Sequence, residues 1–184
     1  MAANPELRVA TLAEATALDA LMKDSIRELF PRYYDARQTE SSERYIGAVD
    51  RLLIVDGTYF VAPAEGEPVA CGGWSKRDKL FTGTKEADPD DIRLLDPATE
   101  AAHVRAMFVR ADWTRRGLGT RILEASETAA REEGFRTLNL MATLPGVPLY
   151  ERYGFVAVRE DIIRMPDGVE IASVEMEKPV EGAG

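Results

Sequence analysis

HVRAMFVRADWTRRGLGT, residues 103–120, reads as a buried strand (Val104–Val109), a short polar turn, a Gly-x-Gly pair at Gly117 and Gly119, and the start of a helix. That order brings the free backbone N–H groups of a helix start to the end of a sheet strand, where they form an anion site. Five arginines (Arg105, Arg110, Arg115, Arg116, Arg121) fall in and just after this stretch, with Asp112 as its one acid. The whole chain carries a formal charge of −9, so this local excess of cations runs against the background. A phosphate-bearing ligand is the natural expectation. A dinucleotide fingerprint needs a third glycine where Ile122 stands, and no Gly-Lys-Ser/Thr tripeptide provides a P-loop. What remains is an Arg-flanked turn whose two glycines let a pyrophosphate approach bare backbone.

Working outward, Leu118, Ile122, Leu123, Ser126, Ala129 and Ala130 share one face of the helix that follows, and Gly134 stops it. Arg136–Ala142 (RTLNLMA) is the next strand. A strand, a full helix and a second strand in succession predict that Val104–Val109 and Arg136–Ala142 lie parallel and adjacent. Leu144–Pro148 bends the chain into a short helix, Leu149–Tyr153. Two further strands, Phe155–Arg159 and Val169–Met176, are joined around Pro166-Asp167-Gly168.

Upstream, Leu7–Ala10 is a first strand. Thr11 and Glu14 are spaced as a capping box for a helix that keeps its period to Pro31. A short helix is expected around Ser42–Val49. Thr58–Ala62 and Val69–Ser75 form a hairpin about Glu65-Gly66. Residues 76–102, rich in Asp, Lys, Thr and Pro, read as a long insertion, and insertions of that length are often functional. The sum is one α/β (α+β) domain over residues 1–184: a twisted mixed sheet of about seven strands flanked by three to four helices.

With 184 residues, 45% of them hydrophobic, the chain is large enough for one real core. It has no apolar run of the roughly 20 residues that span a bilayer, and no secretory signal is expected from MAANPELRVA. The acidic balance argues against nucleic-acid binding. A single cysteine, Cys71, fits a reducing cytoplasm. One Cys and one His do not make a zinc site, so no metal is expected.

Two segments together carry a family resemblance. Thr114-Arg115-Arg116-Gly117-Leu118-Gly119 is similar to the Gln/Arg-x-x-Gly-x-Gly/Ala turn of the GNAT superfamily of acetyl-CoA-dependent N-acetyltransferases. Leu149-Tyr150-Glu151-Arg152-Tyr153-Gly154-Phe155 resembles the later aromatic signature of the same family. Thr114 stands where the family usually has Gln or Arg, and Thr143 stands near a frequent Asn. The resemblance implies a GNAT-like fold and acetyl transfer from acetyl-CoA to a primary amine by direct attack. It implies that backbone groups of Phe108 and Val109 pair with pantetheine. It further implies that N–H groups from Arg115 and Arg116 through Gly117, Leu118, Gly119 and Thr120 hold the pyrophosphate. The amide near Met107 would polarise the thioester carbonyl. A second class of function, a non-catalytic acyl-CoA-binding sensor, is discriminated by thiol release.

Tyr150 is the candidate general acid on the motif match: a phenol with an unperturbed pKa near 10 is protonated at neutral pH and can protonate a thiolate. His103 is a weaker candidate base, and Cys71 a weaker nucleophile. The acceptor is a small-molecule or peptide amine, expected against Arg27, Tyr33, Tyr34 and Trp74. A homodimer is compatible with all of this.

Overall fold

The computed structural model describes residues 3–79 and 92–182. Its regular elements are β1 (Arg8–Val9), α1 (Ala15–Leu29), α2 (Ala36–Ile46), α3 (Arg51–Val55), β2 (Tyr59–Ala64), β3 (Glu67–Ser75), β4 (Ala102–Val109), α4 (Leu118–Glu132), β5 (Thr137–Thr143), α5 (Val147–Tyr153), β6 (Val156–Arg164) and β7 (Glu170–Pro179). The strands make one mixed sheet in the order β1-β2-β3-β4-β5-β7-β6. β4 and β5 are its parallel pair, as the intervening helix requires; the other pairs are antiparallel.

Local chemistry explains most of the boundaries. The Thr11 N–H donates to the Glu14 carboxylate at 2.8 Å. A single 3-10 turn, Leu12–Glu14, then precedes α1. Glu65 and Gly66 both adopt positive φ (53° and 84°), which joins β2 to β3 with a two-residue turn that matches strand twist. Gly134, with φ 92°, ends the α4 segment as expected.

The segment between α1 and β2 departs from expectation. One helix was expected over Ser42–Val49; the chain instead forms α2 and α3, so five α-helices stand among the described residues rather than three or four. Both are set by caps within a polar segment. Asp35 accepts from the Gln38 N–H at 2.7 Å while Gln38 returns a bond to the Asp35 N–H at 3.0 Å. Asp50 accepts from the Leu52 N–H at 3.1 Å. The expected insertion is bridged by the Arg77–Leu94 pairing and ends where Ala102 enters β4; its residues 80–91 lie outside the described residues. The last hairpin, β6 and β7, is longer than its hydrophobic pattern indicated.

Both sheet faces are covered. Leu18, Met22, Ile26 and Phe30 of the α1 segment pack with Val61, Phe108 and Ile171 on one face. Leu123 and Ala130 of α4 and Tyr150 of α5 pack with Leu138, Leu140 and Met176 on the other. Charges are buried with this core. Arg105 of β4, 2% exposed at its side chain, donates to Asp50 at 2.9 Å, and Lys79 reaches the same carboxylate at 3.0 Å. Burial pushes the Asp50 pKa up, but Arg105 and Lys79 outweigh it and hold the carboxyl below its ordinary value.

A folded-state pKa below the unfolded one means stability present above about pH 4 and lost as pH falls through the folded value. Asp50→Ala leaves the Arg105 guanidinium buried without this carboxylate and should cost about 3–5 kcal/mol at neutral pH. In urea denaturation followed from pH 7 to pH 3, the wild type should lose more stability than the variant.

Candidate active site

β4 and β5 pair at only two positions, Ala102↔Leu138 and His103↔Asn139. Beyond these, β5 continues its ladder with β7 and β4 with β3, so the two parallel strands separate. A cleft of about 420 Å³ opens in the gap and is lined by Val104–Val109 on one side and Met141 and Thr143 on the other.

The strand edge facing this gap has defined polarity. The Arg110 N–H donates to the Val69 carbonyl at 2.9 Å, and Phe108 pairs with Cys71. Alternation along the antiparallel ladder therefore turns the backbone groups of Phe108 toward β3, and those of Met107 and Val109 toward the gap. The expected pairing of Phe108 backbone with a ligand is thus corrected, because β3 already uses it. The Val109 carbonyl also receives the Ser25 hydroxyl at 3.0 Å.

A bulge sets the aim of Met107. The β3–β4 register shifts between Cys71 and Gly73, and Ala106 takes φ 53°, unusual for a residue with a Cβ. Two contacts hold it. The Tyr59 hydroxyl, fully buried, donates to the Ala106 carbonyl at 2.7 Å. Opposite, a Cβ on Gly72 would come within 2.3 Å of the Met107 sulfur, so a side chain there would have to displace that of Met107.

At the far end of β4 the turn Thr114–Gly117 leads into α4. Arg115 and Gly117 both have positive φ (62° and 79°), and a Cβ on Gly117 would meet nothing within 4 Å. The first N–H groups of α4 have no intrahelical acceptor and project past the helix start, beside the cleft. Arg115, Gly117, Leu118, Gly119 and Thr120 all line it.

The arginine cluster resolves differently from the expectation. Arg105 is bound to Asp50, Arg110 to Asp112 at 2.6 Å, and Arg121 to the Pro5 carbonyl at 2.7 Å. Arg116 lies over the Trp113 ring at 4.3 Å and is not among the lining residues. Arg115 is the one member that lines the cleft with its side chain outside those contacts, so the anion site is mostly backbone. Gly119 also acquires a second reason: a Cβ there would lie 2.7 Å from Leu149 of α5.

Tyr150 lines the cleft from α5, is 8% exposed, and sets its ring edge-on against Phe155. Burial pushes its phenol pKa well above the ordinary value, so the hydroxyl keeps its proton. Tyr153 faces away, donating at 2.6 Å to Glu127, which also accepts from Lys178 at 2.9 Å. His103 sits where β4 and β5 still pair, its Nδ1 against the Asn139 amide oxygen, and burial lowers its pKa. Burial pushes the Cys71 thiol up to about 12, which leaves no thiolate for nucleophilic attack.

The sequence pattern of the Acetyltransferase (GNAT) family matches residues 22–155. The chain belongs to the GNAT acetyltransferase family. Solved GNAT structures share its fold. A GCN5-related N-acetyltransferase from Rhodopseudomonas palustris has 21% identity and a TM-score of 0.72 over 97% of this chain and 98% of that one. The PaiA N-acetyltransferase of Thermoplasma acidophilum, in complex with coenzyme A, has 15% identity and a TM-score of 0.66 over 96% and 99%. The ribosomal-protein-S18-alanine N-acetyltransferase of Escherichia coli has 18% identity and a TM-score of 0.57 over 97% and 96%. No curated protein matches the sequence.

Within this GNAT fold, the four residues expected to contact the acceptor do not line the cleft. Trp74 is 1% exposed and packs edge-on against Phe135. Tyr34 is a strut: its hydroxyl donates to the Ala172 carbonyl at 2.7 Å and accepts from the Leu144 N–H at 2.8 Å. Arg27 pairs with Asp24 and Glu43 on the surface, and Tyr33 is exposed outside the lining. The side chains that do line that part of the cleft are Leu29, Phe30, Tyr45, Ile46, Ile163 and Met165. Their signal in the sequence was only apolarity, which also marks core.

Tyr59→Phe would strand the Ala106 carbonyl in the core and should cost about 1–3 kcal/mol in chemical denaturation.

Proposed function

We propose that this acetyltransferase moves the acetyl group of acetyl-CoA to a primary amine by direct attack. The observation that carries the reading is the open edge of β4 leading straight to the α4 start, with Tyr150 facing it across the gap. The residues present suit that co-substrate. The Gly117 turn leaves open space above bare backbone, the α4 N–H groups supply donors for a pyrophosphate, and β4 offers an amide-bearing arm its gap-side groups at Met107 and Val109, of which the Val109 carbonyl is shared with Ser25.

Acetyl-CoA would supply an activated acyl thioester. The Met107 N–H, aimed by the bulge, donates to the acyl oxygen and stabilises charge that develops there. Val109 orients the arm from the strand edge. Arg115 through Thr120 hold the phosphates; Arg116 contributes only its backbone. As the amine nitrogen bonds to the acyl carbon and the carbon–sulfur bond breaks, Tyr150 gives its proton to the departing sulfur. The proton lost by the amine leaves to water and restores the phenol. Tyr150 suits this role by its place on the cleft wall; a phenol is protonated at neutral pH, and the burial that raises its pKa makes it a weaker acid that depends on that placement.

Tyr150→Phe retains the ring against Phe155. It should lower kcat by about 10²–10⁴-fold, roughly 3–5 kcal/mol of barrier, in a thiol-release assay. Its acetyl-CoA-dependent rise in Tm should match wild type; equal kcat in a chemistry-limited assay would remove Tyr150 from the mechanism. Tyr153→Phe should keep kcat yet lose stability, because it takes a bond from buried Glu127.

Gly117→Asp sets a carboxylate at the anion turn. Ligand at 100 times its dissociation constant stabilises a protein by about 2.7 kcal/mol, and this variant should lose most of that gain. A full Tm shift in Gly117→Asp would move the phosphate site elsewhere.

A further inference from the structure

The cleft passes through the sheet, and its two ends differ in chemistry. On the α4–α5 face lie the anion turn and Tyr150. On the α1–α2 face it is walled by Leu29 and Phe30 at the end of α1, Tyr45 and Ile46 at the end of α2, and Ile163 and Met165 at the β6–β7 turn. Every one of these six side chains is apolar or aromatic. Two further arginines line the cleft: Arg152 of α5, and Arg164 at the end of β6, which is paired with the Glu170 carboxylate at 3.1 Å. Among the described residues the lining contains no Asp, Glu or His.

The apolar walls are braced from behind. The Ser41 hydroxyl of α2 donates to Asp167 at 2.9 Å, and the Gln38 amide donates to the Glu170 carbonyl at 2.9 Å. Asp167 in turn accepts from the Val169 N–H at 3.0 Å. α2 and the β6–β7 turn are therefore tied to each other across the end of the compartment, and the walls are held before any acceptor enters. Apolar area removed from water contributes about 25 cal/mol per Å², and in this compartment it is the main source of binding. A polycation would lose hydration there and find no carboxylate on the described walls.

We propose that the acceptor is a primary amine carried on an aromatic or branched aliphatic group, with that group seated against Phe30, Tyr45, Ile46, Ile163 and Met165. This inference rests on the acetyl-transfer reading above and adds the acceptor's class. Such an amine exists both as a small arylalkylamine and as the N-terminus of a peptide with an apolar first residue.

The test uses the full chain with acetyl-CoA and follows thiol release with three probes: phenethylamine, a tetrapeptide beginning with Leu, and spermidine. Phenethylamine or the Leu peptide should exceed spermidine in kcat/KM by at least about tenfold, the ratio a few buried methylene groups provide. Whichever of the two is faster identifies the source of the amine. Tyr45→Asp places a carboxylate in the compartment. It should lower kcat/KM for the apolar amine, narrow or reverse the preference over spermidine, and leave the acetyl-CoA-dependent Tm shift intact.

Equal or better turnover of spermidine by the wild type overturns the inference, and so does failure to acetylate either apolar probe while acetyl-CoA still raises Tm. Absence of both turnover and a Tm shift is the separate failure of the acetyl-transfer reading itself.

Discussion

The separation of β4 from β5 is the constraint around which the molecule is arranged. Parallel strands ordinarily run paired and buried for their whole length, because an unpaired buried amide costs about 1–3 kcal/mol. Here the ladder stops after Ala102 and His103, and the edge of β4 beyond them faces a cleft. The surrounding structure keeps that edge open. Gly72 leaves room for the Met107 side chain, Tyr59 fixes the Ala106 carbonyl, and Ser25 takes up the Val109 carbonyl. The His103–Asn139 contact sits at the last pair before the strands part. A histidine in that place closes a junction between strands and has no need to titrate.

Buried charge fastens the elements that border the gap. Arg105 ties β4 to Asp50 at the start of α3. Glu127 joins α4 to β7 through Lys178 and to α5 through Tyr153. Burial alone would raise the Glu127 pKa; Tyr153, the Glu181 N–H and Lys178 together reverse that and lower it. Ion pairs of this kind add little net stability over a well-packed apolar core, but each partner becomes costly once the other is removed. They therefore act as fasteners at chosen points. The Tyr153 pair ties α5, the helix that carries Tyr150, to α4.

The division between the two tyrosines of α5 follows from three residues of helix. Tyr150 and Tyr153 are a turn apart, yet α5 is so short and so tightly seated that small angular differences send one ring to the cleft and the other to Glu127. Gly146 permits this: a Cβ there would lie 2.8 Å from the Tyr150 ring. Gly119 does the same for α4 and α5, since Leu149 fills the space a side chain would need. The glycine of the anion turn that is free of neighbours is Gly117, and its requirement is conformational.

Local patterns sufficed for the parts of this protein that depend on neighbours in the chain. The helical period of α4, the two-residue turn at Glu65-Gly66, the capping residues of Thr11 and Glu14, and the strand–turn–helix order at residues 103–120 are short-range properties, and the sheet with its parallel β4–β5 pair followed from them. The helices α2 and α3 were legible only through Asp35, Gln38 and Asp50, caps that a polar composition conceals. Tertiary structure alone decided which cations face the cleft, because a guanidinium is drawn to whatever carboxylate or ring the fold brings near: Asp50 for Arg105, Trp113 for Arg116. It also decided the acceptor wall. Leu29, Phe30, Tyr45, Ile46, Ile163 and Met165 come from three separate stretches of chain, and apolar side chains carry no mark that distinguishes a cleft lining from a core until long-range packing leaves a space beside them.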